Sequence, residues 1–163
     1  MFDLRPGGNF VRSFFVVLVA WLAPGLLFSA QANPTEPKVA FRLSNFDEKL
    51  FFALGMIESG NDDRGIGLAG EVSRYQIHPS VWKNYCGSRD YQNPEISLQV
   101  ARQHWNYLTS YFRDKTGRPP TSFDMYVLWN TRFGYYARKG FDPERLTLVV
   151  RDRAQRFVNL VNR

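Results

Sequence analysis

One cysteine and two histidines are all this 163-residue chain offers of the side chains that usually build disulfides and metal centres. Cys86 can have no intramolecular partner, so the domain must be held by its core rather than by a covalent staple. His78 and His104 stand far apart with no Cys/His cluster around either, which argues against a metal site. No Ser-His-Asp order stands out, and no glycine loop of the phosphate-binding kind is present. Long alternating runs are missing too, which leaves little to build a sheet from. Neither an internal repeat nor a low-complexity tract is visible, and no cofactor is expected.

The N-terminus reads as a targeting segment. Arg5 and Arg12 precede an apolar stretch from Phe14 to Phe28, and Ser29-Ala30-Gln31-Ala32 supplies an Ala-x-Ala site. This is the pattern of a secretory signal peptide over residues 1–32, cleaved after Ala32. The rival reading is a retained membrane anchor. The stretch is short for a span and is interrupted by Pro24-Gly25, so cleavage is the expectation, with no integral span afterwards. The chain is thus expected to be exported, to the periplasm or beyond. Residues 33–43 read as a short linker, and residues 44–163 as one domain.

The net charge is +6, and the basic excess survives removal of Asp3, Arg5 and Arg12. A basic exported protein meets wall polymers, lipid head groups or released nucleic acid. The basic residues are scattered rather than gathered into a stripe, so nucleic acid is not an expected partner.

Punctuation and periodicity predict a mainly α fold, with at most a small β-hairpin or loop region near 60–76. Ser44 and Asp47 suggest a capped start to a first helix over Asn45–Ser59, with Phe46, Leu50, Phe51, Leu54 and Ile57 at helical spacing. Gly60 and Asn61 end it. A short helix is expected over Pro79–Tyr85. The next starts at Asn93, carries Leu98, Ala101, Trp105, Leu108 and Phe112, and stops before Gly117. Thr121 with Asp124 opens another through Met125, Leu128 and Trp129. A last helix is expected from Asp142-Pro143, with an apolar stripe of Leu146, Val149, Val150, Ala154, Phe157, Val158 and Val161.

Glu58 gives the chain its chemistry. It ends the apolar helical run Ala53-Leu54-Gly55-Met56-Ile57 and is followed by a loop containing Gly60, Gly65, Gly67 and Gly70. Cleaving a glycosidic bond requires a proton for a poor leaving oxygen, so the acid must keep its proton near neutral pH. Partial burial and the negative end of a helix dipole both favour the protonated form. Taken alone, Glu58 would read as an ordinary surface carboxylate.

Its surroundings change that. Glu58-Ser59 is followed by Gly70, Gln76 and Pro79 at separations of 12, 18 and 21 residues, and later by Trp129-Asn130 with Gly134 nearby. In these features the chain resembles the lysozyme-like superfamily, and most closely the catalytic domain of soluble lytic transglycosylases. Those domains carry Glu-Ser at a helix end, then Gly-Leu-Met-Gln and a Pro, and later Ala-Tyr-Asn followed by Gly. Arg153-Ala154 and Phe157-Val158 also look like that family's closing segment. The resemblance covers roughly Phe46–Val161. It departs at Ser73 and Arg74, which stand for Gly-Leu, at Tyr75, which stands for Met, and at Trp129, which stands for Tyr.

The resemblance implies a lysozyme-like fold and peptidoglycan glycan strands as substrate, with a cell-envelope protein as a possible partner. Glu58 would be the single catalytic acid/base. Gln76 would bind or place the sugar's N-acetyl group, Asn130 would line the cleft opposite Glu58, and Ser59 would support the substrate site beside the acid. Tyr75, Trp129 and Phe133 are expected on the cleft wall, and Arg74 and Arg132 opposite substrate carboxylates. The implied reaction splits the bond between N-acetylmuramic acid and N-acetylglucosamine and closes a 1,6-anhydro ring. A hydrolytic lysozyme is the near alternative, with Asp62, Asp63 or Glu71 as second carboxylate. Chitin-like substrates and a wall-binding module without activity stay open.

Overall fold

In a computed structural model the described residues are 45–163. The expected signal peptide, the linker and the Ser44 half of the first cap lie outside them. The helices are α1 (Asn45–Ser59), α2 (Pro79–Trp82), α3 (Pro94–Thr116), α4 (Ser122–Asn130), α5 (Tyr135–Arg138) and α6 (Leu148–Val161), with a 3-10 turn at Pro143–Arg145. The fold is mainly α. Among the described residues the β content is two isolated antiparallel bridges, Ile66 with Val72 and Val72 with Ile77. No described helix is long and apolar enough to cross a membrane.

Local chemistry sets most of these boundaries. Asn93 Oδ1 accepts from the N–H groups of Glu95 and Ile96 at 3.1 and 3.0 Å, which starts α3. Gly117, at φ 70°, closes it with its N–H on the Arg113 carbonyl at 2.8 Å. Thr121 and Asp124 form a reciprocal capping box at the head of α4.

Helix α4 is the centre of the core. Its residues Asp124, Met125, Tyr126, Val127 and Leu128 are all buried, so it shows no amphipathic stripe, as expected of a helix covered on all sides. It packs against α6, α3 and α5, and α6 also packs against α1. The partners do carry stripes: Leu50 and Leu54 on α1, Leu108 and Phe112 on α3, Ala154, Phe157 and Val161 on α6. The Phe157 ring lies 5.1 Å from Tyr126 and 6.0 Å from Trp105, which knits three helices together.

Two expectations need correction. Asp142 caps only the 3-10 turn, through its Oδ1 and the Glu144 N–H. The chain is then extended at Leu146 and Thr147, and α6 begins at Leu148. Leu146 is buried by this separate route, while Val149 is 71% exposed and does not belong to the stripe. The short helix at Pro79 ends at Trp82 rather than Tyr85, and the four-residue helix α5 was not anticipated.

Candidate active site

The C-terminal turn of α1 delivers Glu58, and the loop that follows is folded back against it. Gly60 and Asn61, at φ 73° and 64°, stop the helix with their N–H groups on the Met56 and Gly55 carbonyls. Asn61 lays its side chain on the helix so closely that a Cβ at Gly55 would lie 2.0 Å from Asn61 Oδ1. Ser59 ties the loop down. Its hydroxyl donates to the Arg74 carbonyl at 2.8 Å and accepts from the Asp62 N–H at 3.0 Å.

Farther along, Val72 and Ile77 exchange two backbone hydrogen bonds of 3.0 Å around a four-residue turn. Both Ser73 and Gln76 in that turn are left-handed, at φ 65° and 49°. Non-glycine residues hold that conformation only where surroundings impose it. Here the Ser73 carbonyl accepts from the Gln76 N–H at 3.1 Å and from Gln76 Nε2 at 3.0 Å. The turn sends neighbouring side chains opposite ways. Tyr75 goes into the core, and Gln76 goes to the cleft wall.

The cleft has a volume of about 720 Å³. Gln76, Glu71 and His78 line it from the loop, Tyr85 from the segment after α2, His104 and Tyr107 from α3, and Trp129 to Phe133 from the end of α4 onward. Asn130 belongs both to this wall and to the acid, since its Nδ2 donates to Glu58 Oε1 at 3.4 Å. Glu58 is itself half-buried. Desolvation pushes its carboxyl above the usual range, aided by the negative charge of Glu71 and opposed by Tyr126, Arg153 and Asn130. No basic residue occupies the last turn of α1 to offset the helix dipole there.

Tyr126 is the main residue that the sequence reading missed. Its hydroxyl is buried, faces Glu58 and Arg153, and makes no hydrogen bond of normal length. A signal was available: Tyr126 and Asn130 are four apart on one helix, so they share a face. Tyr85 and His104 were missed as well. Tyr85 Oη and His104 Nδ1 lie 3.0 Å apart, and burial pushes the imidazole down to about 4, so it is neutral at physiological pH.

The expected substrate contacts divide into two groups. Gln76, Trp129, Asn130 and Phe133 line the cleft. Trp129 is held there by its Nε1–H on the Tyr75 carbonyl at 3.3 Å and by the His104 ring at 5.1 Å. Tyr75 does not line it. The ring is 3% exposed and packs edge-on against Phe51 at 6.1 Å, where burial pushes its phenol up to about 12. Ser59 is also not a cleft residue, because its hydroxyl is committed to the loop backbone. Arg74 is taken by a bidentate ion pair with Asp63, which removes both from the substrate site.

Of the candidate second carboxylates, Asp63 is thus engaged, and Asp62 Oδ1 accepts from the Arg64 N–H at 2.9 Å. Glu71 lies in the cleft wall, with its Oε2 accepting from the Ala69 N–H at 3.0 Å. Gly67 makes room for this corner, since a Cβ there would come within 2.3 Å of Glu71 Oε2 and 2.5 Å of Gln76 Oε1. Among the described residues no three His, Cys, Asp or Glu side chains gather closely enough to hold a metal ion. No family model matches the chain, and neither does any curated protein or solved structure.

Proposed function

We propose that this chain is an exported glycan-cleaving enzyme of lysozyme-like fold, acting as a lytic transglycosylase on peptidoglycan with Glu58 as its single acid/base. The observation that carries the reading is the convergence on Glu58. A carboxyl group held above its usual pKa is bonded to Asn130, a residue of the wall of an aromatic-lined cleft.

The chemistry follows from that arrangement. Glu58, protonated, gives its proton to the oxygen linking the two sugars, and the bond from that oxygen to the muramyl C1 breaks. The substrate's own acetamido group stabilises the cation that develops at C1, which removes the need for a second carboxylate. Glu58, now ionised, takes the proton of the C6 hydroxyl as that oxygen bonds to C1. The product is a 1,6-anhydro ring, and the acid is restored. Asn130 Nδ2 favours the ionised form halfway through the cycle, while burial favours the protonated form at its start. Gln76 presents an amide to the same cleft and suits an N-acetyl group.

Hydrolysis is a second reading, favoured by one observation: Glu71 lines the cleft and its charge is felt by Glu58. In that scheme Glu71 would activate a water.

Purified sacculi incubated with the protein should release soluble glycan fragments. Glu58→Gln should reduce that release by a factor on the order of 100 or more, the usual contribution of a general acid. Undiminished release by a folded Glu58→Gln variant would overturn the proposal. Glu71→Gln separates the two readings, since a transglycosylase keeps most of its activity and a two-carboxylate hydrolase does not.

A further inference from the structure

The segment after α4 carries charge that Glu58 chemistry does not use. Four cations, Arg132, Arg138, Lys139 and Arg145, stand there against two acids, Asp142 and Glu144. Glu144 is engaged by Arg151 at 2.8 Å, and Asp142 Oδ1 accepts from the Glu144 N–H at 2.9 Å. None of the four cations makes an ion pair among the described residues.

The fold gathers these charges. Left-handed backbone at Gly134, Gly140 and Phe141, with φ of 79°, 70° and 55°, turns the segment back on itself. Its inner side is anchored: Tyr136 is fully buried, and the Phe141 ring lies 5.3 Å from Tyr136 and 5.2 Å from Phe112. Its outer side is basic. A Cβ at Gly134 would lie 3.3 Å from Arg138 Nη1, which puts that guanidinium over the backbone next to Phe133. Lys139 Nζ lies 5.9 Å from the Tyr135 ring, and Arg145 Nη1 lies 3.5 Å from where a Cβ would stand at Gly140. Cations that look scattered along the sequence thus surround one short segment. Phe133 stands among them, 61% exposed, and Tyr111 braces its ring from 4.8 Å.

One exposed aromatic residue is ordinary, and unpaired cations alone suit any polyanion. The combination suits an anionic bilayer. Lipid headgroups meet the cations, and the ring reaches the acyl boundary, an apolar phase that a dissolved polyanion does not offer.

We propose that the surface formed by Phe133, Arg138, Lys139 and Arg145 docks the protein on an anionic phospholipid bilayer, with Phe133 entering the boundary between headgroups and acyl chains. Docking would hold the cleft beside the membrane, because Phe133 also lines the cleft. The proposal goes beyond the glycan-cleaving reading and needs no glycan, so either can fail while the other stands.

The test is co-sedimentation with phosphatidylcholine vesicles that contain or lack phosphatidylglycerol. The protein is the chain from Asn33 onward, the form expected after signal cleavage, which excludes the apolar stretch from Phe14 to Phe28 as a source of binding. It should bind the anionic vesicles only, and release them as salt rises. Arg138→Gln with Arg145→Gln should weaken binding roughly 10- to 30-fold, about 5-fold per charge. Phe133→Ala should weaken it roughly 5- to 20-fold. Phe133→Trp should keep it, and brominated acyl chains should quench that variant more than the unsubstituted protein. The three side chains are exposed, so melting temperature should not move.

No binding to anionic vesicles, equal binding to neutral ones, or undiminished binding by the double variant would overturn the surface. Unchanged binding in Phe133→Ala without added quenching in Phe133→Trp would overturn the insertion. Soluble polyphosphate bound as tightly as the vesicles would assign the surface to a dissolved polyanion and overturn the proposal.

Discussion

Replacing Asp124 by asparagine should destabilise the fold by about 2–3 kcal/mol, and the reasoning is specific to its hydrogen bonds. The side chain is 3% exposed at the head of the central helix. It accepts from Arg118 Nη1 at 2.8 Å, Arg118 Nη2 at 3.1 Å, the Thr121 N–H at 2.9 Å, Thr121 Oγ1 at 2.8 Å and Tyr136 Oη at 2.8 Å. Every partner donates, and a carboxylate only accepts. An amide in the same place must aim an NH₂ group at donors. The least costly orientation puts it where Tyr136 can rotate and accept, which still opposes one Arg118 nitrogen. Breaking a buried ion pair costs about 3–5 kcal/mol. Arg118 is 45% exposed and keeps its hydration, so the lower figure of about 2–3 kcal/mol applies.

The assay is denaturant unfolding, with a lower midpoint at unchanged slope. In a domain of this size the same loss lowers Tm by roughly 10 °C. The wild-type carboxyl sits below its usual pKa: burial would raise it, but the bonds from Arg118, Thr121 and Tyr136 outweigh burial. Its stabilisation is therefore full above the ordinary carboxylate range and lost as pH falls through the depressed value. Asp124→Asn should flatten that acid limb. A change below about 0.5 kcal/mol, within the range of ordinary surface substitutions, would refute this account of the core.

Glu58 carries the opposite sign. Its raised pKa means that stability is lost as pH rises from the ordinary carboxylate range through the raised value, so Glu58→Gln should melt higher than wild type at neutral pH while losing activity. Tyr126→Phe removes a hydroxyl without a normal hydrogen bond, so stability should move by less than about 1 kcal/mol. Because Tyr126 holds the Glu58 pKa down, the alkaline limb of the pH–rate profile should shift upward in that variant. An unmoved limb would remove Tyr126 from the site. Gly67→Ala meets only the flexible ends of Glu71 and Gln76, so it should cost little stability yet raise KM by displacing both from the cleft wall. Circular dichroism melting and steady-state kinetics separate those effects.

What could be read in advance were features encoded over a few residues. The Asn93-Pro94 start, the Thr121–Asp124 box and the Gly117 stop are local hydrogen-bonding devices, and the helices follow them. The bringing together of Glu58 and Asn130, 72 residues apart, was anticipated only through the motif resemblance. Features that depend on long-range packing were not legible. Tyr75 and Gln76 are adjacent, yet the left-handed turn at Ser73 and Gln76 turns one inward and the other to the cleft. No periodicity reports that. Arg74 looked available to substrate because Asp63 lies eleven residues earlier, in a loop without regular spacing. Tyr126 was hidden by the burial of its whole helix, which erases the stripe that would have marked a face.

The most direct test of the central claim is the mass of the glycan ends that the protein releases from purified sacculi. The account predicts 1,6-anhydro-muramyl ends from the native protein and none from Glu58→Gln. Reducing ends, heavier by one water, would contradict it and transfer the second half of the reaction to Glu71 and a water molecule. Release of no glycan by a well-folded native protein would contradict the assignment of Glu58 as a murein-cleaving acid.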